Sequence, residues 1–176
     1  MIELVSARVP GNSEAPALTV FVVKAVPAPV APRFLRAALL AAAGEPEVAD
    51  RLAGRAGADP PELTVRVTGD RELRRLNRTF LGEDHATDVL SFPGGEADPG
   101  YLGDLALSWP AVARQAAAAG HPPEVEAALL VVHGLLHLLG WDHAGQAEER
   151  AMTDLTLRCL QRAGVRPAGG RLQPST

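Results

Sequence analysis

Residues 133–143 read HGLLHLLGWDH, and this run predicts both a local fold and a chemistry. His133 and His137 are four residues apart in an apolar stretch, so on an α-helix both imidazoles project from one face. Gly140 then ends the helix in the left-handed conformation that glycine readily adopts. The chain can turn back there and bring His143 to the same point. The spacing therefore predicts three metal ligands on one helix and the turn that follows it.

The predicted ligand set indicates a catalytic zinc ion, one per chain. Three imidazoles leave one coordination position for water, and zinc sites with three protein ligands are typically catalytic. Zinc lowers the pKa of such a water to about 7, which makes a zinc-bound water the predicted nucleophile. Asp142 is interpreted either as a hydrogen-bond partner that orients a ligand or as a turn residue. The other two histidines, His85 and His121, are expected to be satisfied core residues.

Composition indicates one soluble domain. The chain has 176 residues, of which 47% are apolar and 22% charged, enough for a single hydrophobic core. The single cysteine, Cys159, cannot form an internal disulfide and is expected to be buried, which fits a reducing compartment. No signal-peptide layout is evident, and the most apolar stretch, residues 15–32, is broken by Lys24 and four prolines. A cytoplasmic protein without a membrane partner is expected.

Charge gives a mixed indication about nucleic acid. The net charge of −4 argues against general electrostatic attraction to a polyanion. Four arginines nevertheless recur at helical spacing and share one face: Arg71, Arg74, Arg75 and Arg78. Guanidinium groups suit bidentate phosphate contacts. A solvated helix face is the other interpretation of the same pattern.

The pattern of apolar residues predicts an α+β fold with a small mixed sheet and surrounding helices. Strands are predicted at 18–23, 63–67, 87–93 and 103–109. Helices are predicted at 34–43, from a cap at Thr68 or Asp70 to Arg78, and at 110–119, 125–139 and 146–163, with a loop over 44–61. The single domain spans 18–164, after a loose lead-in (1–17) and before a tail (165–176) expected to be disordered.

The histidine offsets occur in the metzincin metalloproteases, whose signature is HExxHxxGxxH. The predicted metal helix is metzincin-like in its HxxxHxxGxxH pattern. Here Gly134 occupies the place of the glutamate that serves those enzymes as general base. A metalloprotease is therefore the less favoured alternative, and no peptidase activity is expected.

HGLLHLLGWDH more closely resembles the signature of the YbeY family, metal-dependent endoribonucleases of bacterial ribosomal RNA maturation. DRELRRLN (70–77), TDVLSFP (87–93) and LGDLAL (102–107) precede it and resemble that family's blocks in order. The resemblance covers roughly residues 63–160. It implies an α+β fold, zinc held by His133, His137 and His143, and RNA as substrate, with a ribosomal subunit or assembly proteins as further partners.

One position departs from the family pattern. An arginine usually follows the aromatic residue after LN, and it is held to be needed for activity, but here Phe80 is followed by Leu81. Either Arg75 or Arg78 supplies the charge, or hydrolysis is weak and the chain acts mainly as an RNA-binding or ribosome-assembly factor with a bound metal. Three polar residues nearby could contact substrate or belong to a buried strand region: Asp84, Asp88 and Ser91.

The sequence therefore predicts a zinc-dependent endoribonuclease that cleaves single-stranded RNA in ribosomal RNA maturation. Arginines would stabilise the charge that develops on the phosphoryl group. No side chain is identified as the general base.

Overall fold

A computed structural model describes residues 18–55, 57, 59–95, 97–98, 100–142 and 145–170. His143 lies outside the described residues, as do the predicted lead-in (1–17) and residues 171–176 of the predicted tail. The described strands are β1 (Thr19–Lys24), β2 (Glu62–Thr68), β3 (Val89–Pro93) and β4 (Tyr101–Ser108). The described helices are α1 (Pro32–Ala43), α2 (Pro46–Ala53), α3 (Asp70–Leu81), α4 (Trp109–Ala119), α5 (Pro123–Leu138) and α6 (Gln146–Arg162).

The four strands form one mixed sheet in the order β1-β2-β4-β3. β1, β2 and β4 are parallel, and the edge strand β3 is antiparallel to β4. Helices make the crossovers between the parallel strands, as parallel pairing requires, whereas β3 and β4 are consecutive and need only a short connection. The predicted α+β domain with a small mixed sheet is confirmed.

The helices pack on both faces of the sheet, and the alternation of side chains along β3 and β4 shows which helix lies on which face. Leu105 and Leu107 belong to the main core, to which α1, α5 and α6 contribute. Leu90 and Ala106 instead pack against Leu73 of α3. Because successive strand residues point to opposite faces, α3 and α5 lie on opposite sides of the sheet. No helix in the described part of the chain is long and apolar enough to cross a bilayer.

α2 corrects the prediction of a continuous loop over residues 44–61. It is an eight-residue helix with proline in its first turn, where the missing N–H costs nothing. Val48 and Leu52, four residues apart, are both buried. A helix this short buries only these two residues, so its apolar periodicity is too weak to be recognised beside the neighbouring glycines and prolines. The omission matters because α2 ends next to the predicted metal helix.

The predicted cap of α3 is also wrong. The N-cap is Gly69, which makes no side-chain cap. Thr68 is the last residue of β2, and its hydroxyl donates to Glu72 at 2.6 Å. Asp70 instead accepts bonds from Ser108 and Arg114, and the Arg114 guanidinium, ahead of the Ser108 hydroxyl, holds the pKa of Asp70 below its usual value. These long-range partners could not be seen from local sequence.

Predictions for individual core and tail residues have mixed outcomes. Cys159 is fully buried as expected, and burial raises the pKa of its thiol to about 11. His121 is buried and paired with Glu126 at 2.6 Å, as expected for a core histidine, whereas the side chain of His85 is 63% exposed. Val165 is buried and the Ala168 N–H donates to His121. The first part of the predicted disordered tail is therefore packed against the domain.

Gly134 lets α5 approach the sheet closely. A Cβ at this position would lie 2.8 Å from Cδ2 of Leu105 and 3.3 Å from the Ser91 hydroxyl. Leu105 is fully buried and has little space into which it can move. The missing side chain is therefore a packing requirement of the helix–sheet interface.

Gly134→Ala is expected to lower the free energy of unfolding by about 1 kcal/mol in urea denaturation. Overpacking costs roughly 1–3 kcal/mol, which outweighs the roughly 1 kcal/mol that alanine gains in a helix interior. In a Leu105→Val background the same substitution should become neutral or stabilising, because the contacting methyl is gone. Gly54→Ala is the control, since its Cβ would meet only ordinary contacts at 3.6 Å. Destabilisation that persists at full size in the Leu105→Val background would contradict the close-packing explanation.

Candidate metal site

The turn after α5 is a Schellman motif built around Gly140. The Gly140 N–H bonds to the His137 carbonyl at 2.9 Å, and the Trp141 N–H bonds to the Leu136 carbonyl at 3.0 Å. Gly140 has φ +87°, which a residue with a side chain rarely adopts. The predicted left-handed glycine is confirmed. This turn folds the chain back over the last turn of the helix, where His137 lies.

His133 and His137 lie together on α5 as predicted. Their ring centroids are 4.8 Å apart and their planes meet at 86°, and both residues are half-buried. Two nitrogens bound to one zinc lie at most about 4.2 Å apart, because each Zn–N bond is about 2.1 Å. Rings at this separation can offer two nitrogens to one ion.

Hydrogen bonds fix the same tautomer on both rings. Nδ1 of His137 lies 3.1 Å from the Trp141 carbonyl, which can only accept, so this nitrogen carries the proton. Nδ1 of His133 lies 3.4 Å from the Thr156 hydroxyl, whose proton is donated to the Met152 carbonyl at 2.8 Å. The hydroxyl therefore accepts from His133. Both rings keep their lone pair on Nε2, the state in which imidazole ligates a metal through that atom.

The chemistry of these two side chains fits a zinc ion, and His143 is the predicted third ligand. Its position lies outside the described residues, and among those described no group of three or more His, Cys, Asp or Glu side chains could hold a metal. Asp142 is exposed, immediately after Trp141. Its predicted roles, in orienting a ligand or in the turn, stay open.

The four arginines of α3 line a surface groove of about 590 Å³ together with Glu72 and Asp84. Arg74 makes a bidentate pair with Asp84 at 2.8 and 2.9 Å, and this lowers the pKa of Asp84. Arg75 lies 3.9 Å from Glu72, whose carboxylate also binds Thr68 and Arg66. Within the described residues, Arg71 and Arg78 form no ion pair.

The structure does not bring these arginines to the histidines. They belong to α3, across the sheet from α5. Leu81, which stands where the resemblance implies an arginine, ends α3 and is 62% exposed. Phe80 is exposed to the same extent, and its ring packs edge-on against Phe92 at 5.2 Å. An apolar pair therefore lies exposed at the position where the resemblance implies a cation.

The other polar residues suggested for substrate contact separate in the structure. Asp84 is bound by Arg74 on the α3 side of the sheet. Asp88 accepts the Val89 N–H at 2.8 Å and the Gln115 side-chain amide at 2.9 Å, which ties the start of β3 to α4. Ser91 faces Gly134 of α5. Of the three, only Ser91 lies against the helix that carries the histidines.

Sequence reasoning missed two residues that contact the histidine helix or the turn that follows it. Thr156 is fully buried on α6 between Met152 and Leu160, so a polar residue in an apolar helical stripe was the available signal. Arg51 lies at the end of α2 and donates to the Leu139 carbonyl at 2.8 Å. No signal pointed to it, because α2 itself was not predicted.

Comparison with known proteins identifies relatives of one kind. A family model described as Endoribonuclease YbeY matches residues 35–164. A Gloeobacter violaceus protein named Endoribonuclease YbeY is 51% identical over an alignment of 113 positions that covers 59% of this chain and 58% of that protein. One of the same name from a Roseiflexus species is 47% identical over 116 aligned positions, and the match covers 58% of this chain and 72% of the relative. The chain thus spans less than two thirds of the Gloeobacter protein.

A solved structure supports the fold. The solution structure of TM1509 from Thermotoga maritima matches with a TM-score of 0.50 and 22% identity, covering 83% of this chain and 88% of that one. At this level of identity the similarity concerns the arrangement of helices and strands alone.

Nitrogen-15 NMR of the metal-free protein at neutral pH should show both histidines as Nδ1–H tautomers. Thr156→Val, which keeps the side-chain shape, should change the tautomer balance of His133 and leave His137 unchanged, because only His133 loses its acceptor. Thr153→Val, on the same helix and half-buried, is the matched control. An Nε2–H tautomer at His137 in the unmodified protein would contradict the assignment.

Proposed function

Because the chain belongs to the YbeY family, we propose that it is a zinc-dependent endoribonuclease that cleaves single-stranded RNA during ribosomal RNA maturation. The observation that carries the proposal is the pair His133 and His137, held with Nε2 lone pairs at the end of α5. The names of the relatives, Endoribonuclease YbeY, support the reaction class. Ribosomal subunits or assembly proteins would be its partners in the cell.

The residues of the chain have distinct parts in such a site. His133, His137 and His143 would hold zinc, which when bound supplies a Lewis acid and a water of lowered pKa for phosphodiester hydrolysis. The Thr156 hydroxyl and the Trp141 carbonyl keep the first two rings in the ligating tautomer.

The arginine groove of α3 would bind RNA phosphates away from the reacting bond. Arg71 and Arg78 have no ion pair among the described residues and can each offer a guanidinium to a phosphate oxygen. Arg74 is neutralised by Asp84 and contributes less. Because the groove lies across the sheet from α5, these contacts would position the RNA and add affinity that weakens with salt.

Two alternatives differ in their support. The metalloprotease interpretation requires a glutamate at Gly134, where even a Cβ would press on Leu105 at 2.8 Å. The interpretation as a non-catalytic assembly factor is favoured by Leu81, since an exposed leucine next to exposed Phe80 suits binding better than charge stabilisation. Chelator-sensitive RNA cleavage would support the nuclease over the assembly factor. Chelator-sensitive proteolysis would support the metalloprotease interpretation.

Protein purified without added metal should contain about one zinc per chain and should cleave ribosomal RNA fragments in a chelator-sensitive manner. His137→Ala should lose most of the zinc and most of the cleavage, because one ligand is removed. His85→Ala is the matched control, since His85 is exposed and contacts Glu83 and Asn77 instead. Equal zinc content in the protein with and without His137 would refute the site.

Leu81→Arg should lower KM for RNA with little change in kcat, because Leu81 ends α3, across the sheet from the histidines, and an arginine there extends the arginine groove. A charge-assisted contact to the transition state would instead be worth ~2–4 kcal/mol, or roughly a hundredfold or more in kcat. A rise in kcat of that size, with zinc content and folding unchanged, would place a catalytic cation at this position.

Arg78→Ala and Arg75→Ala should raise KM with little change in kcat, because their groove lies across the sheet from the histidines. Arg33→Ala is the control, because it removes the same charge from an exposed position at the start of α1. Loss of kcat in Arg75→Ala or Arg78→Ala, with zinc retained, would instead place the catalytic cation among these arginines.

A further inference from the structure

Arg51 contacts both residues that flank Gly140 in the turn after α5. Its Nη1 donates to the Leu139 carbonyl at 2.8 Å, a bond that joins residues 88 positions apart. Its guanidinium lies over the Trp141 ring, 3.6 Å from the ring centroid. This is well within the distance at which a cation is attracted by an indole face. One side chain therefore contacts the turn on both sides of Gly140.

The second of these contacts leads directly to a predicted metal ligand. Trp141 presents its carbonyl to Nδ1 of His137 at 3.1 Å. A shift of the Trp141 backbone would lengthen this bond and let the His137 ring rotate. Partners that orient metal ligands in this way typically change metal affinity about 10–100-fold when removed.

We propose that Arg51 is a positioning residue for the metal site, acting through Trp141 on the orientation of His137. The proposal rests on the zinc site of the proposed function. The planar guanidinium is suited to the task because it donates in its plane while stacking on an aromatic face, which an ammonium group cannot do at once. A helix-capping role alone would explain the Leu139 bond but not the stacking on Trp141.

The test measures zinc affinity by competition with a chromophoric chelator, at a temperature where every variant is folded. Arg51→Met should raise the zinc Kd by up to about 10-fold, the lower end of the roughly 10–100-fold found for direct partners of a ligand, because Arg51 acts one contact further away. Arg51→Lys should leave most of the loss in place, because its ammonium can donate to the Leu139 carbonyl but cannot also stack on the Trp141 ring. Arg55→Met should bind zinc as the unmodified protein does, because the Arg55 side chain is exposed and makes no hydrogen bond or ion pair among the described residues.

Two further measurements identify the route. In Trp141→Leu, removal of Arg51 should add less to the Kd than it does alone, because the ring through which it acts is missing. In the metal-free protein, Arg51→Met should shift the tryptophan emission, with the nearly buried Trp109 as a constant background. The second readout requires no metal.

The outcomes separate this proposal from the proposed function. If the unmodified protein binds zinc, and if both Arg51→Met and Arg51→Lys bind it as tightly as the unmodified protein does, the positioning role is overturned and the metal site stands. If Arg51→Met has a lower unfolding temperature but an unchanged zinc Kd, Arg51 acts only as a helix cap. If the unmodified protein binds no zinc, both proposals fail. Should Arg51→Met not fold, Arg51→Lys takes its place, both alone and in the Trp141→Leu background.

Discussion

The left-handed turn at Gly140 is the constraint on which the candidate site depends. With φ +87° it closes both bonds of the Schellman motif and directs the Trp141 carbonyl back to His137. A residue with a Cβ would strain this backbone. The same turn presents the Leu139 carbonyl to Arg51, so the end of one helix positions His137, its hydrogen-bond partner Trp141 and a contact from α2.

A second constraint acts in the middle of the same helix. Gly134 removes the side chain that would otherwise separate α5 from Leu105 of the sheet. The position that the metzincins use for a general base is here occupied by a helix–sheet contact. Similar histidine spacing on a helix is therefore compatible with different residues between the two histidines: a general base in the metzincins, and a glycine that allows close packing here.

Local patterns predicted most of the fold, and non-local contacts account for what they missed. The apolar periodicity around His133 and the glycine at 140 were enough to predict α5 and its turn, because both are properties of a few consecutive residues. α2 was not predicted, because only Val48 and Leu52 form its buried face. The third ligand, His143, lies outside the described residues, so that part of the predicted site stays a prediction.

The sheet separates the arginine groove from the histidine pair in a way that the sequence could not show. Arg78 and Leu81 are only three residues apart, which made the arginine a natural candidate to replace the missing cation. The packing of Leu90 and Leu73, however, fixes α3 on the face opposite α5. RNA held by the arginine groove would have to pass around an edge of the sheet to reach His137. A single-stranded substrate can follow such a path, because an unpaired backbone bends more easily than a duplex, and this geometry favours the single-stranded class proposed for the substrate.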